Sequence, residues 1–190
     1  MPQNLAAFLA TQDTKMLWEV VSAPNPKIAE MLLTGEVDLA AMEWPLSHAA
    51  VSARAWAHEE MVIILPPDHA FATRPEITFD ELKTLRILGG ERGTGTGTLL
   101  TEALGPQAAE LNTVGNLGST EAVKRAVAAG LGASIVLARS VRSEVASGDL
   151  AICRLKGKAL TKPFYLAILK DSAAAVPAAR MLDFLIPEPA

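Results

Sequence analysis

The sequence predicts an α/β protein in two lobes, on three observations. Short apolar runs alternate with stretches of helical period from end to end, the arrangement that places helices on the faces of mostly parallel sheets. The reading gives about seven strands and seven helices, more than one sheet of the usual ~5 to 6 strands takes up. Half of the 190 residues are apolar and mean hydropathy is +0.26, enough to bury one large core or two small ones.

In chain order, Leu5, Phe8 and Leu9 form one stripe of a helix, and residues 16–21 read as a strand. The next helix has Asn25 as N-cap, Pro26 at the first helical position, Ile28, Met31 and Leu32 facing inward and Gly35 at its end. Residues 37–42 follow as a buried strand. Residues 61–65 make another, ended by Pro66 and Pro67, which remove two amide donors and suit a crossing between lobes. Thr78 and Glu81 have capping-box spacing, with Ile77 and Leu82 as a hydrophobic staple. A short strand at 86–88 runs into the loop G-G-E-R-G-T-G-T-G-T, residues 89–98, and a helix ending near Gly105 and Pro106. A strand at 112–114 leads to Ser119 as N-cap of a helix carrying Val123 and Val127 and closed by Gly130. Strands follow at 133–137, 150–155 and 164–169, with Ser140 capping a helix between the first two. Val176, Leu182 and Leu185 mark a last helix, stopped by Pro187 and Pro189.

The formal net charge of −4 has the wrong sign for a surface that tracks nucleic-acid phosphates. The longest apolar run, 126–138, is short of the ~18 residues that span a bilayer. No basic segment precedes the apolar stretch at 5–10, so no secretory signal is readable and a cytoplasmic location is expected. A single cysteine, Cys153, forms no internal disulfide, and inside the apolar run 151–155 it reads as a small hydrophobe. His48, His58 and His69 lack metal-ligand spacing, and no G-x-S-x-G elbow occurs. The expectation is a protein without catalysis, metal or cofactor. Trp44 and Trp56 are expected in the core.

The glycine-threonine loop is the most distinctive segment. Its glycines let backbone amides approach a ligand, and its threonines add hydroxyls at a helix start, which favours anions. Thr96 stands where a P-loop has lysine, and glycines at 93, 95 and 97 do not spell G-x-G-x-x-G. Thr94, Gly95 and Thr96 are therefore candidate anion contacts, against the alternative of a merely flexible loop. Ser119 with Thr120, and Ser22 with Asn25, begin two further helices directly after strands, where α/β sheets hold ligands. Plain helix capping explains the same residues.

Read together, these segments resemble the effector-binding domain of LysR-type transcriptional regulators over essentially the whole chain. The resemblance rests on M-L-L-T-G-E-V-D-L-A at 31–40, V-I-I-L-P-P-D-H-A at 62–70, I-T-F-D-E-L at 77–82, and G-S-T-E-A-V at 118–123 with V-A-A-G-L-G at 127–132. It implies the two-lobe fold of type 2 periplasmic binding proteins, with two crossover segments. Residues 1–65 with 164–190 form lobe I, and 66–163 form lobe II. It further implies a small effector, anionic or a carboxylate, bound between the lobes to Ser22 and Asn25 on one side and Thr94, Gly95, Thr96, Ser119 and Thr120 on the other. The family's winged helix-turn-helix is absent from these 190 residues, so DNA contact belongs to the full-length protein, and the first strand of lobe I is expected to be missing. Family habit implies a homodimer through residues 27–33 and 120–129, a tetramer at full length, and no membrane partner. The alternative is a periplasmic solute-binding protein of a transport system, on the same architecture.

Overall fold

The computed structural model describes residues 2–11, 17–90, 95–170 and 175–186. In chain order its elements are α1 (Pro2–Leu9), α2 (Asn25–Thr34), β1 (Leu39–Met42), β2 (Val51–Leu65), β3 (Glu76–Ile77), α3 (Phe79–Thr84), β4 (Ile87–Leu88), α4 (Gly95–Leu104), β5 (Thr113–Gly115), α5 (Thr120–Ala128), β6 (Ser134–Leu137), α6 (Arg142–Ser147), β7 (Ala151–Leu155), β8 (Thr161–Leu169) and α7 (Ala175–Leu185). Short 3-10 turns follow α4 and β6. The chain divides into two compact units, Met1–Ala57 with Pro163–Ala190 and His58–Lys162.

In the first unit, β1 pairs antiparallel with β8, from Leu39 opposite Ile168 to Met42 opposite Tyr165. Side chains alternate across the sheet, so Ala40, Met42 and Ala167 pack with Ile28, Met31 and Leu32 of α2 on one face. Leu166 and Ile168 pack with Ala178 and Leu182 of α7 on the other. Full burial of Leu32 and Leu182 contributes about 1.5 to 3 kcal/mol each. Gly35 ends α2 at φ +75°, its amide and that of Glu36 bonded to the last carbonyls.

In the second unit, β2 is flanked antiparallel by β6 and β7, β7 carries β3 in parallel, and β4 pairs parallel with β5. A single parallel bridge between Ile87 and Ala133 joins β4 to β6. The continuous apolar run Met61–Leu65 is explained by this placement, because both sheet faces are covered. Met61, Ile63 and Leu65 meet Leu99, Leu100 and Leu104 of α4 on one face. Val62 and Ile64 meet Val123, Ala126 and Val127 of α5 on the other. The capping box of α3 forms as expected: Thr78 accepts from the Glu81 amide and Glu81 reaches back to the Thr78 amide.

Several expectations need correction. The sheets are mixed rather than mostly parallel, because β2 runs antiparallel to β6 and β7, and β8 antiparallel to β1. Described residues 17–24 hold no strand; Leu17, Trp18 and Val20 are exposed, and β propensity without a paired neighbour does not make a strand. β2 starts at Val51, ten residues before the apolar run, because its first part is only half buried and carries polar side chains. The chain passes from the first compact unit to the second within that strand, between Ala57 and His58. Pro24, not Asn25, caps α2: its carbonyl accepts from the amides of Lys27 and Ile28, and no side chain caps the helix. Ser140 lies in a 3-10 turn, donates to the Leu137 carbonyl and does not cap α6. Trp56 packs beside α7, but Trp44 is exposed.

Candidate functional site

The best-built candidate lies within the second unit, at the carboxyl ends of β4 and β5. These neighbouring parallel strands feed helices on opposite faces of the sheet: α4 packs with Ile87, and α5 with Leu88. Connections that leave adjacent strands in opposite directions open a crevice at the strand ends, the usual ligand position of α/β sheets. Both helix N-termini carry orphan amide donors and the positive end of a helix dipole.

Each side of the crevice has a local cause. β4 ends in Gly89 and Gly90, at φ +76° and +78°, a left-handed pair that other residues adopt only under strain. The Gly89 amide donates to the Gly115 carbonyl at 2.7 Å, tying the end of β4 to that of β5. A side chain at Gly90 would come within 3.2 Å of Leu100 and 3.7 Å of the Thr96 methyl, so the turn lies close against α4. After β5, the Asn116 side-chain Oδ1 accepts from the Gly118 amide at 2.7 Å in an Asx turn. Gly118 at φ +72° then delivers Ser119, whose hydroxyl accepts from the Ala122 amide at 3.2 Å. Glu121 in the first turn of α5 is held by Lys124 and Arg125, and its pKa falls chiefly through the hydrogen bond from Lys124.

Of the residues expected at a site, Gly95 and Thr96 open α4, half buried, and Ser119 and Thr120 open α5, exposed. Thr94 lies outside the described residues. Ser22 and Asn25 belong to the first unit, on the exposed segment before α2 and at its first position. Sequence reasoning missed the Gly89–Gly115 tie and the Asx turn. The pattern N-x-G-S at 116–119 signals the second, whereas the tie is a long-range pairing with no local signature.

Other chemistry is poorly provided for. Cys153 is 1% exposed, and burial pushes its thiol up to about 11, away from the reactive thiolate. Among the described residues, no group of three or more His, Cys, Asp or Glu side chains is placed to hold a metal ion. None of their helices is long and apolar enough to cross a membrane. A cavity of about 530 Å³ lies between α4, the turn after it and β5, lined by Leu100, Thr101, Pro106, Leu111 and Thr113 among others. Among the described residues no charged side chain lines it, and neither Thr96 nor Ser119 does.

Comparison with known proteins identifies the fold. The LysR substrate binding domain matches residues 1–189. The RuBisCO operon transcriptional regulator of Acidithiobacillus ferrooxidans is 32% identical over 138 residues, 73% of this chain and 45% of that protein. The transcriptional activator CmpR of Synechocystis is 28% identical over 159 residues, 84% of this chain and 52% of its own length. The chain thus spans about half the length of these curated relatives. Among solved structures, the regulatory domain of Synechocystis CcmR in complex with 2-PG superposes with a TM-score of 0.82 at 24% identity, covering 100% of this chain and 92% of that one. The effector-binding domain of QuiR in complex with shikimate gives 0.80 at 16% identity, covering 97% and 88%. These relatives are transcriptional regulators rather than enzymes, and the transport alternative draws no support from them. The chain belongs to the LysR substrate-binding domain family, the effector-binding domains of LysR-type transcriptional regulators.

Proposed function

We propose that this domain senses a small anionic effector, phosphate- or carboxylate-bearing, and that the carboxyl ends of β4 and β5 hold its anionic group. The observation that carries this reading is the crevice between two helix N-termini on opposite faces of the sheet, with Gly95, Thr96, Ser119 and Thr120 supplying amides and hydroxyls. Thr94 is a further proposed contact, and Ser22 and Asn25 are those of the first unit. The complex of the CcmR domain with 2-PG supports an anionic effector, and 2-PG is therefore the first probe.

In the full-length protein, effector binding shifts the arrangement of paired subunits and so the presentation of an N-terminal DNA-binding domain to an operator, in the cytoplasm. Such a shift is limited by the effector's differential affinity for the two arrangements. The proposed assembly is a homodimer of this domain and a tetramer of the whole protein, with the outer faces of α2 and α5 as partner surfaces. Their apolar stripes are already used inside their own units, by Ile28, Met31 and Leu32 and by Val123, Ala126 and Val127. Sedimentation of the purified domain with Leu33→Glu, at an exposed position of α2, and Leu131→Glu, exposed just after α5, tests this assembly. Unchanged association would exclude it.

A thermal-shift series with 2-PG, shikimate, phosphate and sulfate at fixed ionic strength tests the effector class. A ligand that binds only the native state raises the transition by an amount that follows its concentration over Kd. The expected result is a saturable rise with 2-PG. A rise with none of the anions, or an equal rise with all, overturns the reading.

A further inference from the structure

We propose that Ser134 is a positioning residue for the anion-binding crevice, a role that rests on the reading of the β4 and β5 ends as the effector site. Ser134 is 3% exposed, one of two buried polar side chains among the described residues. It sits in β6, on the face that Val136 shares with α5. Its hydroxyl donates to the Leu88 carbonyl at 2.6 Å, across 46 residues of sequence.

The place of this bond in the ladder gives it a purpose. β4 meets β6 through one bridge, with the Leu88 amide donating to Ala133 and the Ala133 amide to Arg86. At the next position the Ser134 side chain, rather than another strand amide, supplies the donor to Leu88. The backbone can therefore leave the sheet at Leu88 without a buried carbonyl going unbonded, which would be destabilising. The chain turns there through Gly89 and Gly90, both at positive φ. A Cβ built on Gly89 would lie 3.9 Å from the Ser134 hydroxyl oxygen and 3.9 Å from Val123 of α5. The Gly89 amide holds Gly115, and Gly90 lies against Thr96. Ser134 thus fixes the point from which both helix starts are presented, without touching the ligand.

The test compares the wild-type domain with Ser134→Ala, which removes one atom, and Ser134→Thr, which keeps the donor. Ile63→Val, in the centre of the same sheet, controls for a general loss of stability. Hydrogen exchange without ligand is read first. Ser134→Ala is expected to speed exchange at Gly89, Gly90 and Thr96 at least fivefold, with Ser134→Thr close to wild type and the control unaffected there. Affinity for 2-PG is read second and is expected to fall about tenfold in Ser134→Ala and to recover in Ser134→Thr. Unchanged local exchange in Ser134→Ala, or exchange raised equally by the control, overturns the positioning role. So does wild-type affinity for 2-PG in Ser134→Ala. Failure of the wild type to bind 2-PG counts against the effector reading, and the exchange comparison still decides whether Ser134 sets the turn.

Discussion

Thr96 is the side chain on which the anion reading can be made sharpest. It stands at the second position of α4, half buried, with its methyl toward Gly90. Thr96→Val keeps shape and removes the hydroxyl, so 2-PG binding by calorimetry should weaken by about 1 to 2 kcal/mol, roughly 5- to 30-fold. Unchanged affinity would take Thr96 out of the site. Cys153 gives the opposite kind of prediction. With its thiol buried and pushed up to about 11, iodoacetamide at pH 8 should label it only after denaturation, and rapid labelling of native protein would contradict its packing. At this scale the sequence was readable where chemistry is local: Ser119 and Thr78 cap helices as their patterns say. It misled where a helix start was set by backbone alone, as at Pro24, and it was silent on Ser134, whose partner lies on another strand.

Among the elements, α3 and α5 are held by carboxylates whose pairing makes stability depend on pH. Arg74 chelates Glu81, at 2.5 and 3.0 Å, and the Thr78 amide adds a third bond; the carboxyl is held down to about 2. Lys124 of α5 binds Glu144 of α6 at 2.5 Å and holds that carboxyl down to about 2 as well. Both groups bind fewer protons folded than unfolded, so their contribution is complete above the ordinary carboxylate pKa of 4.5 and is lost as pH falls toward 2. Urea midpoints measured from pH 6 to pH 2 should fall in that window, and Glu81→Gln should flatten the fall. An equally steep fall in the variant would remove Glu81 from the cause. β6 poses a steric test. A Cβ at Gly132 would meet the Arg86 carbonyl oxygen at 2.4 Å, at the bridge between β4 and β6, whereas one at Gly115 meets nothing within 4 Å. Gly132→Ala should cost about 1 to 3 kcal/mol in urea unfolding, and Gly115→Ala well under half of that. Equal losses would contradict the close approach. Strands flanked on both faces were legible as apolar runs, as at Met61–Leu65; the half-buried start of β2 was not, because its mixed residues follow neither period.

For the whole molecule, the order of motifs proved more informative than any one of them. Single segments such as residues 31–40 or 118–123 are short, but their sequence along 190 residues anticipated a family that matches residues 1–189. Strand direction was not legible, since apolar periodicity reports which faces are buried and not which way a neighbour runs. The chain passes from one compact unit to the other inside the continuous strand β2, where no proline or glycine marks a break. In the proposed function the fold contributes a pair of parallel strand ends with helices departing on opposite faces, and an anion is proposed to bind there. Amide hydrogen exchange with and without saturating 2-PG tests it most directly. Slowed exchange is expected at the starts of α4 and α5, at Gly95, Thr96, Thr120 and Ala122, with little change around Leu100 to Leu111 beside the cavity. Saturable binding that protects that cavity instead, or that leaves both helix starts unchanged, would contradict it.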